Sequence, residues 1–176
     1  MRKRLTTIVA CAFLVSLFVA GVSAVLTDLK ITGSGRFESN CIHTLLPGCT
    51  TTASGQMSGT PVNPGSWALR FDLGGPILDN GSPGTTQGAC LTAVGPARLT
   101  ESGGDTINLN TVGIVCEEGE PSSPYHYSGT YRITGGTGRF AAATGGGDVS
   151  ATFTREGTFT RGAGDALFLL DGTIVY

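Results

Sequence analysis

The chain has 176 residues, 28 of them glycine, with 11 basic and 13 acidic side chains and a formal net charge of −2. That length is one domain's worth, and after its N-terminal Arg2, Lys3 and Arg4 the chain is acidic and glycine-rich, with no basic cluster, which argues against nucleic acid and anionic membrane surfaces as partners. No long helical periodicity occurs, and short alternating segments rich in Thr, Gly and Ser predict an all-β fold.

Met1 to Ala24 opens with Arg2, Lys3 and Arg4, continues in an apolar run from Ile8 to Val22, and closes on Val22-Ser23-Ala24. This is the anatomy of a secretory signal peptide. A retained anchor has no use for the processing site, and a lipoprotein box ending at Cys11 would precede most of the apolar run. The expected mature chain, 25–176, is a single secreted or periplasmic domain with 8 basic against 13 acidic residues.

Leu26 to Phe37 alternates Leu29 and Ile31 with Asp28, Lys30 and Thr32, then enters a predicted glycine corner, Gly33 to Phe37. Cys41 to Gly65 is loop-rich, with one strand expected near Gln56 to Val62. Ser66 to Leu73 is the cleanest strand, setting Trp67, Leu69, Phe71 and Leu73 on one face. A glycine and proline loop, Gly74 to Gly88, follows as a potential lip over a cavity mouth.

Four cysteines remain after export, Cys41, Cys49, Cys90 and Cys116, and an even count in an oxidising compartment indicates disulfides. Three pairings are possible. Ala89 to Thr100 and Thr106 to Glu117 flank a turn centred on Gly103, and that hairpin sets Cys90 opposite Cys116. The same register sets Leu99 opposite Ile107, Ala97 opposite Leu109 and Leu91 opposite Val115 on one face, with Arg98 facing Asn108 on the other. Directly opposed positions lie within disulfide reach, which leaves Cys41 to pair with Cys49. Glu117 to Pro124 carries three carboxylates without the alternating spacing of a calcium loop, and no other metal site is expected.

Tyr127, Tyr131 and Ile133 alternate with Ser128, Thr130, Arg132 and Thr134, and Val149, Ala151 and Phe153 repeat that parity after a glycine-dense corner. Gly135, Gly138 and Ala141 have the spacing of a dinucleotide-binding loop. Only six residues, Arg139 to Thr144, separate this corner from Gly145-Gly146-Gly147, whereas a crossover needs at least about 10, so no cofactor is expected. The structural corner is then Gly135, Gly136 and Gly138, with Phe140 as its apolar plug. Lys30 to Gly33 followed by Gly35-Arg36-Phe37 parallels Arg132 to Gly135 followed by Gly138-Arg139-Phe140, so either an internal repeat or a shared strand-and-turn idiom is present.

The phrase from Tyr131 to Gly145, Y-x-I-T-G-G-T-G-R-F-x-x-A-x-G, resembles the G-G-[ST]-G-x-F corner of the allene oxide cyclase and dirigent barrels. It is also similar to exported bacterial proteins of that type. The resemblance covers the C-terminal part of the chain and implies an antiparallel, closed or nearly closed barrel of about eight strands with a mainly apolar cavity. It implies too an isomerase or cyclase activity, which in those barrels rests on cavity acids. No position here matches one.

Ala166 to Tyr176 is apolar on both faces, as a closing strand requires. A last strand ending in an aromatic also fits an outer-membrane barrel, but the six- to eight-residue strands expected here fall short of the 9 to 11 such barrels need. With the apolar parity inward, the lumen is lined by residues such as Leu69, Leu99, Ile107 and Val149 and holds no carboxylate, histidine or lysine. That composition speaks against an enzyme and for a module binding an apolar or aromatic small molecule among Trp67, Phe71, Tyr127, Tyr131 and Phe153. A structural or adhesive surface protein is the other non-catalytic reading, and oligomeric state is not readable from these residues.

Overall fold

The structure, a computed structural model, describes residues 24–40, 48–78, 90–117, 124–155 and 162–176. The proposed signal peptide up to residue 23, Cys41, and residues 79–89 and 118–123 lie outside the described residues, and the loop expected from Gly74 begins no earlier than residue 79, because β3 continues to Leu78. Eight strands follow one another: β1 (Leu26–Ser39), β2 (Thr50–Thr60), β3 (Gly65–Leu78), β4 (Cys90–Glu101), β5 (Thr106–Glu117), β6 (Tyr125–Gly136), β7 (Thr144–Arg155) and β8 (Gly162–Val175). Each pairs antiparallel with the next, and β8 pairs with β1, so the sheet is a closed up-and-down barrel. Closure leaves no edge strand with unpaired backbone groups.

The period-two patterns decide what faces inward. Leu29, Ile31 and Phe37 of β1, Trp67, Leu69, Phe71 and Leu73 of β3, and Phe168, Leu170 and Ile174 of β8 are all buried. Their neighbours on the same strands are largely polar and exposed, such as Asp28, Lys30, Arg70 and Asp165. Leu167 and Leu169 are the outward exceptions on β8. An apolar lumen inside a polar wall is the reverse of a lipid-facing barrel. This polarity, rather than strand length, argues against the outer-membrane reading, because the strands run 11 to 14 residues and are longer than expected.

Cys90 faces Cys116, Leu91 Val115, Ala97 Leu109, Arg98 Asn108 and Leu99 Ile107, as the hairpin arithmetic predicts. The Cys90–Cys116 disulfide is formed, with Cα atoms 4.1 Å apart. Cys49 is also disulfide-bonded.

Two expectations fail. Residues Gly33 to Phe37 make no corner, because β1 runs through them, paired with β2 and β8 along their whole length. Gly33 instead gives room to large rings: a Cβ there would meet the Phe168 ring and come 2.7 Å from Trp67 Nε1. The expected strand near Gln56 to Val62 lies earlier, as β2, and ends at Thr60 before Pro61. Spacing alone could not separate a glycine that turns the chain from one that lets an aromatic pack against the backbone.

Candidate functional site

In a meander of this kind, alternate connections gather at opposite ends of the barrel. The β2–β3, β4–β5 and β6–β7 connections close one end. Here β6 bulges near Gly135, whose φ of +117° suits glycine, and the chain passes Gly136 into a short 3-10 turn, Gly138–Phe140. Gly138 is left-handed at φ +56°. A Cβ there would also occupy the space of the Asp105 carboxylate. The Asp105 carboxylate is positioned by the turn, accepting the Arg139 N–H at 3.1 Å. Phe140 has no exposed surface and its ring lies 5.1 Å from that of Tyr176.

Sequence reasoning missed one residue of this end. Glu101 keeps the inward parity of Leu99 and is 6% exposed, so the lumen-facing set does contain a carboxylate. Next to the Gly103 turn it is easily assigned to the loop, whereas the parity of β4 places it inside. Its Oε1 accepts the Asn63 N–H at 2.7 Å and the Arg139 guanidinium, and Arg139 Nη2 also donates to the Pro61 carbonyl at 2.9 Å. The hydrogen bond to Glu101 is the main reason the Arg139 pKa is raised. Glu101 thus ties three connections together, and its acceptor is occupied.

The five residues expected to line a ligand site are all buried in one apolar core, but their ring contacts fall into separate groups. Phe71 joins Tyr127, with ring centroids 4.4 Å apart, and Phe153 at 6.1 Å. Phe37, which the sequence reading did not include, completes the group through Phe153 at 5.3 Å. Trp67 packs instead against Phe168 at 4.7 Å and directs its Nε1 toward the Ser34 carbonyl at 3.4 Å. Tyr131 reaches toward β8, where a Cβ on Gly172 would stand 2.6 Å from its hydroxyl.

The hydroxyls of Tyr127 and Tyr131 are buried without a hydrogen-bond partner. Thr111, beside Tyr127, commits its proton to the Gly95 carbonyl at 3.0 Å. Burial pushes the Tyr127 hydroxyl pKa up, against the opposing effect of Thr111. Tyr131 is pushed to about 12, first by burial and then by the carboxylates of Asp171 and Asp148 on the adjoining strands. Both shifts keep the phenols neutral proton donors at any physiological pH.

The Tyr131 shift has a stability consequence with a definite sign. The folded pKa lies above the ordinary value of 10.0, so its contribution is complete below pH 10 and is lost as pH rises toward 12. Between those values only the unfolded chain ionises. Denaturant titrations at pH 9 and pH 12 are expected to show the native protein losing about 2 kcal/mol more than Tyr131→Phe. Equal losses in the two proteins would contradict the assignment.

Asp171, one of the acids that a cyclase reading would need inside, is exposed and faces Lys30 and Asp148 on the outer wall. Asp105 is engaged by the corner, and the side chain of Glu117 lies outside the described residues. His126 sits half-buried on the outward parity, 3.3 Å from Thr152 Oγ1. Among the described residues no group of three or more His, Cys, Asp or Glu is placed to hold a metal. Comparison with models of protein families finds no match, and comparison with curated proteins finds none either. The class of protein defined by the fold is therefore an eight-stranded antiparallel barrel with an apolar, aromatic-lined interior.

Proposed function

We propose that this barrel is an exported, non-catalytic carrier that holds one apolar or aromatic small molecule bearing an oxygen acceptor. The observation that carries the reading is the pair of buried tyrosine hydroxyls, Tyr131 without a hydrogen-bond partner and Tyr127 with only the Thr111 hydroxyl beside it. An unsatisfied buried hydroxyl costs about 1 to 3 kcal/mol, and phenylalanine would fill the same volume without that cost. A carbonyl or ether oxygen on a ligand supplies the missing acceptor. Barrels of about eight strands are wide enough either to be filled by side chains or to keep one small ligand. The small inward residues Gly113 and Gly129 make room for the Tyr127 side chain itself, which a Cβ at either would meet within 3 Å.

Quenching of Trp67, the chain's single tryptophan, tests this. Fluorenone, an aromatic ketone, is expected to quench it saturably and with higher affinity than fluorene, which lacks the acceptor. In the Tyr127→Phe/Tyr131→Phe protein the preference should vanish, while stability without ligand rises by about 1 to 3 kcal/mol. Absence of saturable quenching by either compound would leave a packed core and end the carrier reading.

A further inference from the structure

On the outer wall, on the other side of the sheet from the lumen, the described residues of β1 to β6 line an open cleft of about 810 Å³. Its floor follows from register. Arg36 faces Ser54, Ser54 faces Ala68, and Ala68 faces Arg98, so two guanidinium groups stand at the ends of a row whose middle side chains are short. Three inter-strand steps separate their strands by about 14 Å. Arg70, two residues along β3 from Ala68, adds a third guanidinium, and Glu38 is the one carboxylate in the lining.

The volume is that of a ligand site, and its charged and polar groups stand over a floor that also carries the apolar Ala68 and Pro96. Arg98 Nε donates to Asn108 Oδ1 at 3.1 Å, a neutral partner that leaves its charge unbalanced. Arg36 and Arg70 contact Asp165 at 3.4 Å and Asp72 at 3.2 Å, in pairs whose side chains are more than half exposed. Such solvated pairs are weak and exchange readily for a ligand anion. The cleft contains no aromatic platform for nucleic-acid bases and no large apolar anchor of the sort that centres a protein interface. It offers guanidinium, amide and hydroxyl groups on a shallow, elongated floor.

We propose that this cleft binds a short acidic oligosaccharide, one carrying carboxylate or sulfate groups that Arg36 and Arg98 engage at its two ends. Guanidinium forks match carboxylate and sulfate oxygens in paired hydrogen bonds; Ser54 is placed for a sugar hydroxyl between them, and Asn108 and Asn110 extend the polar floor beyond Arg98 on β5. The site stands apart from the lumen, so it holds whether or not the barrel carries a small molecule inside.

Calorimetric titration of the full protein with galacturonic acid oligomers is the test, with malto-oligosaccharides as the neutral counterpart. Saturable binding of the acidic series alone is expected, weakening as salt rises. The Arg36→Gln/Arg98→Gln protein should lose at least about tenfold in affinity. Both side chains point to solvent, so its melting temperature should stay close to that of the native protein. Arg70→Gln provides a second, single-site reduction, and Lys30→Gln, on the outer wall beyond the cleft, should bind as the native protein does. Failure of the acidic oligomers to bind, equal binding of the neutral series, or an unchanged affinity in both arginine variants would overturn the proposal. Loss of the same magnitude in Lys30→Gln would also overturn it, since the effect would then be one of overall charge.

Discussion

Replacing Phe140 by Ala is expected to cost about 3 to 5 kcal/mol, the range for deleting a fully buried aromatic side chain. The ring has no exposed surface, packs against Tyr176, and carries the Arg139 guanidinium 4.5 Å above its face. Removing it leaves a void between the barrel wall and the corner that closes it. The corner has little freedom to collapse into that void, because Arg139 is held by Glu101, Pro61 and Asp105. Urea denaturation checks the figure, and a cost under about 1 kcal/mol would mean that the plug is replaceable. Trp67 packs against Phe168 rather than Phe140, so the folded variant should keep the native emission spectrum.

Converting both Cys90 and Cys116 to Ser is expected to lower stability by about 3.5 kcal/mol, the chain-entropy value for a closed loop of that size. The bond lies on the outward parity of β4 and β5, in line with Arg98 and Asn108. Its loss should therefore spare the packing of Leu91, Leu99 and Ile107 inside. The discriminating result is a large drop in the denaturant midpoint with unchanged ligand affinities in both lumen and cleft. A loss of lumen binding in the folded variant would show instead that the bond sets the shape of the barrel wall. Peptide mapping of the non-reduced protein verifies the pairing directly, and a Cys41 linked to Cys90 or Cys116 would contradict it.

Much of the fold could be read from local patterns because barrel strands obey a strict period of two. Once the parity of Trp67, Leu69, Phe71 and Leu73 is known, inward and outward sets follow along β3 without any long-range information. The β4–β5 register was readable for a related reason: a short hairpin turn centred on Gly103 leaves little choice of pairing, and Cys90 opposite Cys116 and Leu99 opposite Ile107 confirm one another. The candidate site was legible only as a list. That Phe71 meets Tyr127 and Phe153 while Trp67 meets Phe168 depends on curvature and stagger around the closed sheet, which no single strand encodes.

By itself, the order of residues determined the all-β class, the inward set, the Cys90–Cys116 bond and the plug at Phe140, since each depends on neighbours along one strand or across one turn. Tertiary structure alone decided closure through β8 on β1, the straight passage of Gly33 to Phe37 and the hydrogen bonds of Glu101 to Asn63 and Arg139. It also left the tyrosine hydroxyls without partners and assembled the outer cleft, whose arginines stand on β1, β3 and β4. The physical reason is range: a strand's own pattern specifies which face is apolar, but what meets across the lumen or along the outer wall is set by how eight strands tilt and shear when the sheet closes.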